Sequence, residues 1–214
     1  MTPVPVIRPF QPADEAAVRR ICFATALFGQ SLAPVLDDVE LVSEALCGYY
    51  VRCEPELLFV ADAAGAVAGY VSGCRDTARY SRRYAWRIAP RLAALFLRHG
   101  HWRRRATWRL LGGGLRAAGQ WSGAHQAIAR EYPAHGHLNL DARFQRQGLG
   151  TRLLGRLLAE LRARGVPAIH ISAASAGGQA FFTRAGFVLL TAYPAPLTLG
   201  GPPRTVQVMG LRLQ

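Results

Sequence analysis

Leu138-Asn139-Leu140 closes an apolar, strand-like run, and Gln145-Arg146-Gln147-Gly148-Leu149-Gly150 then opens a helix at Thr151. The first turn of a helix offers amide N–H groups without intrahelical partners, together with the positive end of the helix dipole. Gly148 and Gly150 place no Cβ between that backbone and a ligand. Such a segment is an anion site, and a diphosphate is its natural guest. The GK[ST] ending of a P-loop and the GxGxxG spacing of a dinucleotide fold are both missing from the sequence.

A second set of reactive side chains precedes the loop. His135, His137 and Asn139 alternate along the strand and so share one face. Imidazole titrates near neutrality, which suits it to removing a proton from a nucleophile. His137 is the first candidate for a general base and His135 the second, with a hydrogen-bonded structural role as the alternative for each. Glu131, Tyr132 and Asp141 are further candidates. His99, His101 and His125 lack metal-ligand spacing and read as surface residues. Cys22, Cys47, Cys53 and Cys74 fall at irregular intervals without a CxxC pair or a nearby histidine. They read as free, mostly buried thiols of a reducing cytoplasm, and no metal is expected.

The elements that must position these residues alternate along the chain. Val4 to Phe10, interrupted by prolines, suits an edge strand. Asp14 can cap a helix through Val18, Ile21, Cys22 and Leu27. Asp37, Asp38 and Glu40 precede a second helix over Val39 to Tyr50, where acidic residues complement the dipole. Leu57 to Ala61 and Val67 to Ser72 form a hairpin about Asp62–Gly65. Helices are predicted over Tyr84–His99 and Trp102–Leu111, followed by a strand at His135–Leu140. A long helix over Gly148–Arg164 ends at Gly165 and Pro167. A strand (Ala168–Ser172), a helix (Ala176–Arg184) and strands at Phe187–Tyr193 and Thr205–Leu213 complete the order. Hairpins mixed with crossovers imply a mixed α/β sheet with helices on both faces.

Gln-x-x-Gly-x-Gly, the apolar strand before it and Leu153, Leu154, Leu157 and Leu158 after it resemble the acyl-CoA-binding unit of the GNAT N-acetyltransferase superfamily. Gly186-Phe187 resembles that family's Gly-Phe, and Val6-Ile7-Arg8-Pro9 with Asp14 resembles its usual start. Tyr132-Pro133-Ala134-His135 resembles a block in the bacterial branch that includes the acetyltransferase-like domain of O-GlcNAcase proteins. The resemblance covers nearly the whole chain except residues 77–130. It implies one domain over 1–214 with a mostly antiparallel sheet of about seven strands and a helical insert at 77–130. It also implies that acetyl-CoA is the cosubstrate and that an amine attacks its thioester directly in a ternary complex. The amides of Arg146 to Thr151 are then expected to hold the CoA diphosphate, with Gln145, Gln147 and Leu149 in the same loop. Leu138 and Leu140 pair with pantetheine, and the Leu140 N–H is the oxyanion donor. Two positions depart from the pattern. Phe182 stands where the family usually has a Tyr general acid, and Ser175 where it has an Asn. Phenylalanine can still pack against pantetheine and serine can still hydrogen-bond it, while thiolate departure falls to water or to another donor such as Tyr193.

Composition bounds the partners. The 214 residues carry 26 basic side chains, all of them arginine, and a net charge of +13. Residues 77–130 hold twelve of those arginines and no Asp or Glu, so nearly all the net charge sits there. That field suits phosphates, an acidic acceptor or an anionic surface. With Trp86, Trp102 and Trp108 interleaved, a membrane interface is the rival reading, whereas no motif points to nucleic acid. No apolar stretch is long enough to span a membrane, and no secretory leader is visible. A cytoplasmic monomer or homodimer is expected.

Overall fold

The computed structural model describes residues 5–27, 29–105, 107, 108, 112, 126–195 and 205–213. Residues 106 and 109–111 of the helix predicted over 102–111, and His125, lie outside these residues. Seven strands form one sheet in the order β1-β2-β3-β4-β5-β7-β6. They are β1 (Val6–Pro9), β2 (Leu58–Ala63), β3 (Ala66–Cys74), β4 (Ala134–Leu140), β5 (Ala168–Ala173), β6 (Val188–Pro194) and β7 (Thr205–Arg212). The proline-flanked β1 lies at an edge, where a missing ladder donor costs least. All pairings are antiparallel except β4 with β5.

Helices cover both faces, and the pleat sorts the core between them. On β2, Phe59 and Ala61 enter the cluster under α5 (Leu149–Ala163), while Leu58 and Val60 enter the cluster under α1 (Glu15–Thr25) and α2 (Val39–Cys53). The period of two dictates that division. α5 buries Leu149, Leu153, Leu154, Leu157, Leu158 and Leu161, a stripe at helical spacing. It ends where Gly165 adopts φ 69°, with Gly165 N–H donating to Arg162 O (2.9 Å) and Val166 N–H to Leu161 O (3.0 Å). This is a Schellman ending, and it satisfies two carbonyls that the helix leaves open.

Three local expectations are corrected. Asp14 makes no cap bond to α1; its carboxylate instead takes Arg8 Nη1 and Nη2 at 2.7 and 2.9 Å, and Gln11 N–H at 2.8 Å. A bidentate guanidinium outcompetes a helix amide for the same oxygens. The helix expected from Tyr84 begins earlier, as α3 (Thr77–Arg83) capped by Asp76, and continues through a π turn (Tyr84–Ile88) into α4 (Ala89–Arg98). The π turn lies just before Pro90, whose ring crowds the preceding turn and which has no N–H to give. There Ala89 N–H reaches back five residues to Tyr84 O. Finally, His99 and His101 are not loose surface residues: His101 is 1% exposed, and both rings bond Asp38 at the start of α2. Gly100 lies between them at φ 68°, a turn that brings both flanking rings onto one carboxylate.

Candidate functional site

The site begins where two strands part. β4 and β5 pair in parallel at Ala134–Ile169 and His135–His170, yet both strands run on beyond that rung. The register with β3 fixes which way the rest of β4 faces. Asp141 N–H donates to Ala68 O, so residues 139, 137 and 135 form the hydrogen-bonded pairs with β3. The amides of Leu138 and Leu140 therefore face the opening beside β5. Gln145 Nε2 reaches the Leu140 carbonyl at 3.4 Å from that side. An extended ligand can add to this edge as a strand does.

Beyond β4 the chain makes a tight loop into α5. Asp141 Oδ1 accepts from Arg143 N–H at 3.0 Å, and the Arg143 guanidinium holds the Asp141 carboxyl down at about 2. Asp141 is thus a loop brace, too weak a base to take a proton from an amine. Arg146 takes φ 59° and Gly148 φ 76°, both left-handed. For a non-glycine such as Arg146 that conformation costs about 1–2 kcal/mol. These turns aim the start of α5 outward. No side chain caps that helix, and Gln145, Arg146, Gln147 and Gly148 are exposed. Its first-turn amides at Leu149, Gly150 and Thr151 are therefore available to an anion. The helix buries Leu149 and Gly150 beneath this mouth. A Cβ on Gly150 lies 3.5 Å from Phe181 and 3.6 Å from Leu140, so the loop, β4 and α6 (Ala176–Arg184) converge there.

On the other face of the opening lies a cavity of about 650 Å³, lined in part by Thr77, Tyr80, Arg130, His135, His137 and His170. Thr77 N–H and Oγ1 both lie 2.8 Å from Pro133 O, and His135 Nδ1 lies 2.8 Å from the same hydroxyl. With the hydroxyl proton given to the carbonyl, we assign Nδ1 of His135 as the donor and Nε2 as the basic nitrogen. His170 Nδ1 lies 2.7 Å from Tyr132 O, a carbonyl that can only accept, so this ring too is protonated at Nδ1. Burial lowers the pKa of His170. His137 is exposed on the cavity, with protein packed around its base. Loss of water to the surrounding protein, and then His170, draw its pKa down to about 4. Next to it stands Tyr50, its ring 5.4 Å from that of His137. The buried hydroxyls of Tyr50 and of Ser72, the residue opposite His137 in β3, have no hydrogen-bond partner among the described residues.

The remaining expected site residues fall as follows. Asn139 shares the histidine face and donates to Tyr70 Oη at 2.7 Å. Ser175 caps α6, its Oγ accepting from Gly178 N–H at 3.1 Å. Phe182 is 7% exposed and stacks edge-on with Phe181 and Phe187, which leaves it little surface for a ligand. Glu131 is exposed, and the carbonyl of buried Tyr132 serves His170. Sequence reasoning missed Thr77, placed at the edge of the insert, and His170. The signal for His170 was a lone polar residue within the apolar strand Ala168-Ile169-His170-Ile171.

The sequence matches the family model for the acetyltransferase (GNAT) family over residues 131–187, the stretch that holds the opening, the loop and α6. Among solved structures, SsHAT is 31% identical, with 99% of this chain and 100% of that chain aligned at a TM-score of 0.73. The yncA protein of Salmonella typhimurium, solved with its cofactor acetyl-CoA, is 20% identical (99% and 95% covered, TM-score 0.60). A ribosomal-protein-alanine N-acetyltransferase from Brucella melitensis is 17% identical (97% and 99% covered, TM-score 0.56). The last two likenesses concern the fold. With the full-length match to SsHAT, the family match and the strand order, the chain belongs to the GNAT acetyltransferase superfamily.

Proposed function

We propose that this protein is an N-acetyltransferase that moves the acetyl group of acetyl-CoA to an amine by direct attack. The observation that carries the reading is the opening between β4 and β5, with the Leu138 and Leu140 amides on one edge and an uncapped helix start at its mouth. In it, the amides from Arg146 to Thr151 hold the diphosphate, and the β4 edge and Ser175 hold pantetheine. The acceptor enters from the cavity face. Its amine lone pair attacks the thioester carbon, and the developing oxyanion takes the Leu140 N–H. The amine proton passes to Nε2 of His135, the C–S bond breaks, and the CoA thiolate takes a proton from water. We rank His135 above His137 here because a base drawn down to about 4 holds a proton poorly at neutral pH. His137 then lines the acceptor cavity beside Thr77 and Tyr80, with Tyr50 and Ser72 buried behind it. The arginines of the insert favour an acidic one. The resemblance of the Tyr132–His135 block supports a kinship with the bacterial branch that has O-GlcNAcase-type acetyltransferase domains, and the free thiols suit a cytoplasmic setting.

A second reading rests on Phe182. The position where the superfamily usually has an acid is a buried phenyl ring, as suits a module that binds CoA without turning it over. Thiol release from acetyl-CoA, measured with a broad amine panel, separates the two. Amine-dependent release that falls in His135→Gln supports the enzyme. CoA binding without release under any amine supports the module.

A further inference from the structure

Asp38, His99 and His101 form a cluster apart from the opening, where the end of α4 meets the start of α2. His99 Nδ1 and His101 Nε2 each lie 2.6 Å from the same oxygen, Asp38 Oδ2. The ligand atoms of all three lie within 4.8 Å of one another. The cluster is sheltered, with side chains 10% (Asp38), 26% (His99) and 2% (His101) exposed. Asp38 is fixed from behind, because its Oδ1 accepts from Leu41 N–H at 2.9 Å. The far nitrogen of His99, Nε2, takes a hydrogen bond from Arg98 Nε at 3.3 Å, and Glu40 Oε2, which Arg98 Nη2 holds at 2.7 Å, stands 3.5 Å from it. An outer carboxylate on the far nitrogen of a ligating histidine fixes the ring and its tautomer in metal centres.

We propose that Asp38, His99 and His101 bind a divalent transition metal, zinc foremost, which staples the basic insert to α2. Two imidazoles and one carboxylate, with a fourth position left to water, form a donor set suited to zinc. Zinc bonds of about 2.0–2.1 Å set tetrahedral ligand atoms about 3.3 Å apart. The two His–Asp spacings thus widen by about 0.7 Å when the metal replaces the protons between them. Those protons move within each ring. The His99 proton goes to Nε2, which requires Arg98 Nε to turn away from that nitrogen and Glu40 Oε2, 3.5 Å off, to close on it. That of His101 goes to Nδ1, which has no partner among the described residues, so the metal binds more weakly than it would with that ring partnered. The bond joins residues 61 and 63 apart in sequence. It anchors the far end of the helical run whose first turns, at Thr77 and Tyr80, wall the acceptor cavity.

The test uses the full chain, stripped with EDTA and titrated with Co²⁺ alone, then with Zn²⁺ as competitor. The expected result is one Co²⁺ per chain, with tetrahedral visible absorption that Zn²⁺ abolishes and a rise in Tm on Zn²⁺ addition. His99→Gln is expected to weaken Co²⁺ binding by at least about tenfold, and Glu40→Gln, on the exposed outer side, by less. His137→Gln, in the separate histidine group, is expected to leave binding unchanged. Melting curves of the metal-free variants establish that they are folded. No saturable Co²⁺ absorption, equal affinity in folded His99→Gln, or loss of binding in His137→Gln overturns the proposal.

Discussion

His135 and His170 face each other across the last rung at which β4 and β5 pair, and beyond them the strands separate. Their ring centroids lie 5.7 Å apart. Each ring has Nδ1 tied at short range, to Thr77 Oγ1 in one case and to Tyr132 O in the other. Two imidazoles with fixed tautomers thus stand at the base of the opening, between the acyl-CoA side and the acceptor cavity.

If His135 takes the amine proton, His135→Gln lowers kcat by about 100-fold while the CoA dissociation constant stays as it was. Thr77→Val removes the hydroxyl that orients the ring and costs less, with the acid limb of the kcat/KM profile displaced. Steady-state rates across pH, set beside calorimetric CoA titrations, check both. An unchanged rate in His135→Gln returns the role to His137.

His137 makes stability depend on pH. Its folded pKa of about 4 lies below the ordinary 6.5, so the unfolded chain takes up its proton first as pH falls. Stability is therefore lost as pH falls from about 6.5 towards 4. His170, also lowered, acts in the same direction. Urea midpoints at pH 7 and pH 5 should show a smaller drop in His137→Gln than in the parent protein. Equal drops would mean that the ring is solvated like a free imidazole.

Much of this was legible in the sequence. The loop from Gln145 to Thr151 follows from two glycines ahead of a leucine-striped helix, and α6 spans the residues expected of it, Ala176–Arg184. Local pattern settles such features. The parting of β4 from β5 could not be read, because it depends on pairing between segments more than thirty residues apart. The role of Asp14 was misjudged because its carboxylate is taken by Arg8 and the Gln11 N–H, and the Arg8 guanidinium is held in place by distant Asp62. Long-range convergence likewise turned His99 and His101, two residues apart, into a cluster with distant Asp38.

Gly136 holds β4 close against its neighbours. A Cβ there lies 2.8 Å from Ser72 O and 3.2 Å from a Leu157 methyl, and the first of these is backbone that cannot yield cheaply. Gly136→Ala should destabilise the fold by about 1–3 kcal/mol, read from denaturant midpoints. Gly150→Ala, whose Cβ meets Phe181 at an ordinary 3.5 Å, should be tolerated and serves as the control.

Gly148 combines open space with left-handed backbone, so its substitution probes strain alone. Gly148→Ala should cost about 1 kcal/mol of stability and weaken CoA binding in proportion to any displacement of the loop. Thermal melts with and without CoA check this. A loss of stability with unaltered CoA affinity would place the diphosphate away from Gly148.

The most direct measurement is calorimetric titration of CoA into the parent protein and into Gly150→Trp, with circular dichroism to establish that the variant is folded. An indole at position 150 fills the mouth where β4, the loop and α6 converge. The account predicts micromolar binding by the parent and a loss of at least about 100-fold, or nearly 3 kcal/mol, in the variant. Unchanged CoA affinity in a folded Gly150→Trp would contradict it.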